Sequence, residues 1–168
     1  MEMLTIDIRR ATPDDANGIA DVHADAWRFA YTGVIPHRAL TGMINRRGGA
    51  WWDRAIRRGT SIYLVGSSDT VFGYVTFGLN RARALRHEGE VYELYLLPEY
   101  HGMGLGKRLF QEARQSLLAH GCEGLVVWSL KDNERACEFY SDLGGKDAVQ
   151  GRETFDGQTL EKIGFLWD

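Results

Sequence analysis

The segment LPEYHGMGLGKRLF, residues 97–110, decides the fold because it joins a β-rich run to a helical pattern through three glycines. Glycine lets the main chain adopt positive φ angles and approach a ligand closely. The N–H groups at the start of a helix carry partial positive charge and bind phosphates. The loop therefore predicts a phosphate site with the following lysine or arginine nearby, although the loop by itself fits a plain flexible turn equally well.

Two common nucleotide-binding motifs do not fit this loop. The dinucleotide fingerprint G-x-G-x-x-G requires glycine at position 107, which is lysine. The nucleotide P-loop G-x-x-x-x-G-K-[ST] requires glycine at 101 and a hydroxyl residue at 108, which are histidine and arginine. The predicted phosphate ligand therefore belongs to another class.

The composition predicts one globular domain spanning residues 1–168. Hydrophobic residues make up 44% and charged residues 26% of the chain. A net charge of −3 argues against nucleic acid as a partner, and no apolar run is long enough to cross a membrane. The first ten residues do not read as a signal peptide, so we expect a cytoplasmic protein. The two cysteines and five histidines lack metal-ligand spacing, so we expect no metal.

Hydrophobic periodicity predicts seven strands and several helices. The order is strand (4–11), helices (12–31 and 36–58), three strands (two within 61–79, joined by the turn GSSD at 66–69, and one at 90–97), helix (104–120), strand (124–130), helix (132–145) and two strands (within 146–167). The strand–helix–strand unit over about 90–130 should join two parallel strands. The predicted fold class is α/β, with a mixed sheet flanked by helices.

The glycine loop and its strand resemble the central motif of the Gcn5-related N-acetyltransferase (GNAT) superfamily. That motif is a strand that often ends in Val-x-Pro, followed by [RQ]-x-x-G-x-[GA] at the start of a helix. Leu96 and Pro98 stand at the Val and Pro positions, and Gly104 and Gly106 match the small residues. His101 departs from the family pattern because arginine or glutamine is usual there.

The segment LVVWSLKDNERACEFYSDLGGK, residues 125–146, resembles the second coenzyme-binding motif of the same family. Asn133 and Tyr140 occupy its Asn and Tyr positions, whereas Gly145 stands where Phe is common. The N-terminal segment IRRATPDDANGIADVHADAWRFAYTGVIP is more weakly similar to a bacterial branch of small-molecule or amine acetyltransferases. The resemblance implies the single-domain acyl-CoA N-acyltransferase fold over the whole chain.

The resemblance also implies acetyl-CoA as cosubstrate and direct attack by a primary amine, of a small molecule or a peptide, in a ternary complex. It implies that the strand before the loop is splayed from its neighbour and that its N–H groups near Leu94 and Leu96 bind the pantetheine arm. The implied coenzyme-binding residues are Leu94, Leu96, Leu97, His101, Gly102, Met103, Gly104, Leu105, Gly106, Lys107, Asn133, Ala136 and Tyr140. Many family members are homodimers, so a homodimer is expected here too.

Three residues are candidate catalysts. Tyr140 would protonate the leaving thiolate, because a phenol with a pKa of about 10 is protonated at neutral pH; packing in the core is the alternative. Glu90 is the first candidate for the base and Glu93 the second, and both could equally be surface carboxylates. An odd spacing on a regular strand places the two on opposite faces, so we expect at most one to face the acceptor.

The acceptor site is less defined. Trp27 and Tyr31 are predicted to wall it, with core packing equally possible, and adjacent Trp51 and Trp52 should differ in exposure. The basic loop RARALR, residues 81–86, fits a solvated charge run better than an acceptor site. Two alternatives to the acetyltransferase remain: a non-catalytic acetyl-CoA sensor, and an acyltransferase with another acyl group or acceptor.

Overall fold

The computed structural model describes residues 5–168, which form one mixed sheet with helices on both faces. The strands are β1 (Asp7–Arg10), β2 (Ser61–Gly66), β3 (Val71–Leu79), β4 (Gly89–Leu96), β5 (Leu125–Leu130), β6 (Lys146–Phe155) and β7 (Gln158–Trp167). The α-helices are α1 (Ala16–Tyr31), α2 (His37–Arg46), α3 (Gly49–Arg57), α4 (Leu105–Ala119) and α5 (Glu134–Asp142). The predicted order of elements is confirmed, except that residue 4 of the first strand lies outside the described residues.

The described strands lie in the order β1-β2-β3-β4-β5-β7-β6. Strands β4 and β5 are parallel, as the strand–helix–strand pattern predicted, and the other neighbouring pairs are antiparallel. Over residues 5–168, no helix is long and apolar enough to span a bilayer.

Each face of the sheet has its own core because successive side chains of a strand point to opposite faces. Val75 of β3 packs with apolar residues of α4 such as Leu109 and Phe110. Its neighbour Tyr74 packs on the other face with α1 and α3, where Trp52 is fully buried. The chain thus separates a face covered by α4 and α5 from a face covered by α1 and α3.

The turn that leads into α1 is held by side-chain hydrogen bonds. The Thr12 N–H donates to the Asp15 carboxylate at 2.8 Å, and Asp15 also accepts from Arg9 at 2.7 Å. The Arg9 hydrogen bonds lower the pKa of Asp15. These bonds fix the first turn, which satisfies N–H groups that a helix start leaves free.

The two ends of β4, the middle strand of the sheet, differ in their pairing. Its first residues pair with β3 and with β5, but within the described chain the pairing with β5 stops at Val91 and Val127. The register with β3 also skips Tyr92, a β-bulge that pairs Val91 with Phe77 and Glu93 with Thr76.

The bulge corrects one expectation from the sequence. Glu90 lies opposite Gly78 and Glu93 opposite Thr76, and the two β3 residues are two apart. Residues two apart share a face, so both glutamates lie on the face covered by α1 and α3. The prediction of opposite faces is wrong because Tyr92 is an extra residue in the strand. It shifts the alternation of side chains by one position, so that Glu90 and Glu93 lie on the same face.

Candidate active site

A cavity of about 530 Å³ lies where β4 separates from β5. Its lining comes from α1, the end of β4, the glycine loop and the start of α5: Ala26, Phe29, Ala30, Leu94, Tyr95, Leu96, His101, Gly102, Gly104, Leu105, Gly106, Lys107, Asp132, Asn133, Glu134, Arg135, Ala136, Phe139 and Tyr140. The structure therefore brings together most of the residues that the sequence predicted for coenzyme binding.

The end of β4 presents its main chain to this cavity. The Leu97 N–H donates to the Phe72 carbonyl of β3 at 2.8 Å. Because N–H groups alternate in direction along a strand, those of Leu94 and Leu96 point away from β3. With no β5 residue paired there, these two groups face the gap between the strands. Leu97 itself does not line the cavity.

The three glycines of the loop serve different geometric needs. Gly102 and Gly104 have φ angles of 79° and 78°, which side-chain-bearing residues rarely adopt. Gly106 has ordinary helical geometry, but a Cβ there would lie 3.3 Å from the Phe139 ring and 3.5 Å from the Leu96 side chain. Met103, which lies between Gly102 and Gly104, is 55% exposed and does not line the cavity.

The N-terminus of α4 is a free set of hydrogen-bond donors. Gly104 is its N-cap, and no described side chain caps it. The N–H groups of Leu105, Gly106 and Lys107 begin the helix at the cavity wall. Since the first N–H groups of a helix have no partner within it, these can bind an anion.

Helix α5 supplies the opposite wall. The Asn133 side chain accepts from the Ala136 N–H at 3.3 Å and caps the helix, and both residues line the cavity. Tyr140, two turns along, is 5% exposed and also lines it. Its ring packs against Phe110 and Phe165, so Tyr140 belongs to the core and to the cavity wall. Burial raises the pKa of Tyr140, which keeps the phenol protonated at neutral pH.

Three side chains meet at the rim of the cavity. The Arg135 guanidinium lies 2.9 Å from Nδ1 of His101 and 5.7 Å from the Phe29 ring centre. Burial, and then the charge of Arg135, lower the pKa of His101, so its neutral form accepts from the arginine. Sequence reasoning missed Arg135, although it lies inside the second motif, because spacing along α5 does not reveal a contact with the glycine loop.

Glu90 lies outside the cavity. It is 2% exposed, and its carboxylate accepts from the Arg81 main-chain N–H at 3.0 Å and from the Arg81 guanidinium at 2.8 Å. The Arg81 guanidinium in turn lies 4.2 Å from the Tyr92 ring centre. The first member of the basic loop is thus an ion-pair partner of Glu90.

Glu93 lies beside the cavity, next to Leu94. Its carboxylate accepts from the Tyr74 hydroxyl at 2.8 Å and pairs with the Arg47 guanidinium. Arg47 follows α2, and no motif pointed to it. A charged partner so distant in sequence leaves no local pattern.

The predicted acceptor residues lie just behind the cavity wall. The Tyr31 hydroxyl is 2.6 Å from the Tyr95 hydroxyl, and the Trp27 ring lies 5.9 Å from the Tyr95 ring. Tyr95 lines the cavity, whereas Trp27 and Tyr31 pack against it as buried residues. Trp52 is fully buried and Trp51 partly exposed, which confirms the predicted difference between them.

The acetyltransferase (GNAT) family model matches residues 21–144. This chain belongs to the GNAT family, and it is therefore an acyltransferase of the N-acetyltransferase type. The matched segment includes β4, the glycine loop and α5, the elements that form the cavity.

Similar proteins agree with this assignment. The GNAT chain is 28% identical to the uncharacterized N-acetyltransferase YuaI of Bacillus subtilis, over 96% of this chain and 92% of that protein. The PaiA N-acetyltransferase of Thermoplasma acidophilum, solved in complex with coenzyme A, superimposes with a TM-score of 0.74 at 19% identity, covering 95% and 98% of the two chains. YncA of Salmonella typhimurium, solved with acetyl-CoA, superimposes with a TM-score of 0.71 at 22% identity, covering 97% of this chain and 93% of that chain. The two structures support the fold.

The cavity of this GNAT chain carries three kinds of group that can contact a ligand. It offers free N–H groups at the α4 N-terminus for a diphosphate, two further N–H groups on β4 for an amide-containing arm, and a buried phenol at one wall. Within residues 5–168, no group of three or more His, Cys, Asp or Glu side chains is placed to hold a metal ion.

Proposed function

We propose that this GNAT chain transfers the acetyl group of acetyl-CoA to a primary amine, of a small molecule or a peptide, by direct attack in a ternary complex. The observation that carries the proposal is the cavity of about 530 Å³ between the glycine loop, the open end of β4 and Tyr140. Acetyl-CoA supplies the thioester, and the roles below belong to residues of the chain.

The main chain would hold the coenzyme. The N–H groups of Gly104, Leu105, Gly106 and Lys107 would bind the diphosphate at the positive end of α4. The N–H groups of Leu94 and Leu96 would bind the pantetheine arm. Arg135 adds a cation near the loop, where His101 replaces the usual arginine or glutamine.

Tyr140 would act as the acid. It lines the cavity, and its phenol stays protonated because burial raises its pKa. Such a group can hold its proton until negative charge develops on the leaving sulfur. The Asn133 cap fixes the start of α5, two turns before Tyr140.

Glu93 is favoured over Glu90 as the base. Glu90 is enclosed by Arg81 and lies where β4 is paired on both sides, so an acceptor has no path to it. Glu93 lies next to the open part of the strand, and its partners are the side chains of Tyr74 and Arg47. It would take a proton from the acceptor ammonium, directly or through a water.

Two measurements test the proposal. Calorimetry should show stoichiometric binding of acetyl-CoA, and an acceptor screen that follows thiol release should identify amines that are acetylated. Binding without transfer to any amine would indicate a sensor, and transfer from longer acyl-CoA donors or to alcohols would indicate the other acyltransferase. No binding at millimolar acetyl-CoA would reject the proposal. We also propose that the protein is a homodimer in the cytoplasm. Light scattering of the purified chain measures whether it is a dimer.

A further inference from the structure

A cluster of aromatic rings lies around the ion pair of Arg47 and Glu93 on the face of the sheet covered by α1 and α3. We call this cluster the Glu93 box and define it by Glu93, Trp27, Trp51, Trp52 and Tyr74. The Trp52 and Tyr74 ring centres are 4.9 Å apart, and those of Trp51 and Trp52 are 5.0 Å apart. Glu93 is the acidic member of the box.

The Arg47 guanidinium lies inside this box. It pairs with Glu93 and lies 4.7 Å from the Trp51 ring centre and 5.8 Å from that of Trp27. A carboxylate with two indole rings around a cation is the usual chemistry for binding an organic cation, because the ring faces are negative. Arg47 therefore makes the contacts that a cationic ligand would make.

Buried polar atoms without partners lie in the box and on His23 beside it. Both ring nitrogens of His23 and the indole nitrogens of Trp27 and Trp52 are buried with no hydrogen-bond partner among residues 5–168. His23 is 0% exposed, and its ring lies 4.7 Å from Trp27 and 5.9 Å from Trp52. Buried polar groups are normally paired. A neutral imidazole has one acceptor nitrogen, so an ammonium group could donate to His23, whereas the two indole N–H groups are donors and would gain no partner from it.

Arg47 lies at the solvent edge of the box. It is the C-cap of α2, its side chain is 29% exposed, and Gly48 follows it before α3 begins. Arg47 thus lies between the two helices and belongs to neither, so rotation about its side-chain bonds can take the guanidinium toward solvent without unwinding α2 or α3.

The box adjoins the coenzyme cavity. Tyr95 lines the cavity, and its ring lies 5.9 Å from Trp27 and 6.1 Å from Tyr74. Glu93 precedes Leu94, another cavity residue, by one position. A ligand in the box would therefore be held beside the open end of β4.

We propose that the Glu93 box is the cation subsite of the acceptor and that Arg47 fills it until an acceptor displaces it. The inference rests on the proposed function and names its substrate class, a small aliphatic amine that enters as an alkylammonium cation. An acidic acceptor is disfavoured because it would bring a second negative charge to Glu93.

The test measures binding of 1,4-diaminobutane by tryptophan fluorescence and calorimetry with no acyl donor present. Removing an internal competitor raises apparent affinity by the inverse of the fraction of open sites. We expect Arg47→Ala to bind the diamine about tenfold more tightly than the wild type, if Arg47 fills about nine sites in ten. Arg46→Ala, an exposed change one residue away, should match the wild type, and succinate should not bind to either variant.

Two further variants make the result specific. Adding Glu93→Gln to Arg47→Ala should abolish the gain, whereas Arg47→Lys, which keeps a cation on Glu93, should bind like the wild type. If Arg47→Ala does not fold, as circular dichroism would show, Arg47→Gln replaces it with the same expectation. Equal or weaker diamine binding after loss of the Arg47 charge overturns the inference, as does a gain that survives Glu93→Gln.

The same variants separate this inference from the proposed function. With acetyl-CoA present, Arg47→Ala should lower the KM for the diamine, and a raised KM would mean that Arg47 itself binds the acceptor. A chain that binds the diamine as expected but binds no acetyl-CoA would keep the box as a cation site and reject the acetyltransferase proposal.

Discussion

The two sides of the open end of β4 are built differently. On the glycine-loop side, the groups available to a ligand are main-chain N–H groups around a cavity of about 530 Å³. On the α1 and α3 side, the groups are side chains, and Arg47 of the same chain already contacts the Glu93 carboxylate. The comparison teaches that one side offers a ligand backbone geometry, whereas the other offers individual side chains.

The largest effect is expected at Tyr140, in the wall of the cavity. Tyr140→Phe should lower kcat about 10²–10⁴-fold, because the variant keeps the ring but loses the acid. Steady-state and single-turnover assays of thiol release measure this, with calorimetry to show that acetyl-CoA still binds. Unchanged single-turnover rates would remove Tyr140 from the chemistry and leave it a core residue.

The second prediction compares the two glutamates on β4. Glu93→Gln should lower kcat/KM about 10²-fold through loss of the base. Glu90→Gln should instead reduce the free energy of unfolding by about 1–3 kcal/mol, because a buried carboxylate that accepts several hydrogen bonds is lost. Urea unfolding and acceptor kinetics on both variants measure the contrast. If Glu90→Gln lowers kcat/KM and Glu93→Gln does not, Glu90 is the base.

The third prediction concerns how acid lowers the free energy of unfolding through His23, on the α1 and α3 side. Burial, and then the charge of Arg47, lower the pKa of His23 to about 3, below its ordinary value of 6.5. The unfolded chain then binds a proton that the folded chain excludes, so stability is lost as pH falls below about 6.5. At pH 5 the loss is about 2 kcal/mol, from 1.36 kcal/mol per pH unit. Urea unfolding from pH 8 to pH 5 should show a flatter decline for His23→Leu, and parallel curves would contradict the assignment.

The smallest effect is expected on the backbone side, at Gly106. Gly106→Ala places a Cβ 3.3 Å from the Phe139 ring, which must shift along the cavity wall. Acetyl-CoA should bind about fivefold more weakly, matching ~1 kcal/mol at the lower end of overpacking costs. Gly42→Ala, a helical glycine remote from the cavity lining, serves as the control in calorimetry. Equal affinity of both variants for acetyl-CoA would show that the Phe139 ring shifts without affecting coenzyme binding.

Much of the backbone side was predictable because its signals are local. The glycines, Pro98 and the periodicity of α4 lie within about 25 residues, and they predicted the strand, the loop and the helix. Eleven of the thirteen residues expected to bind coenzyme line the cavity, and Leu97 and Met103 do not. Both exceptions are matters of direction, since the Leu97 N–H is used by β3 and Met103 points outward.

The sequence by itself determined the order of elements, the parallel pairing around α4 and the cavity-forming motifs, because backbone preference and hydrophobic period depend on near neighbours. The tertiary structure alone decided which charges meet. The bulge at Tyr92 depends on pairing with β3, and the partners Arg47 and Arg81 reach their glutamates from other segments. An ion pair requires two side chains within a few ångströms, and for residues far apart in the chain only the folded path of the backbone sets that distance.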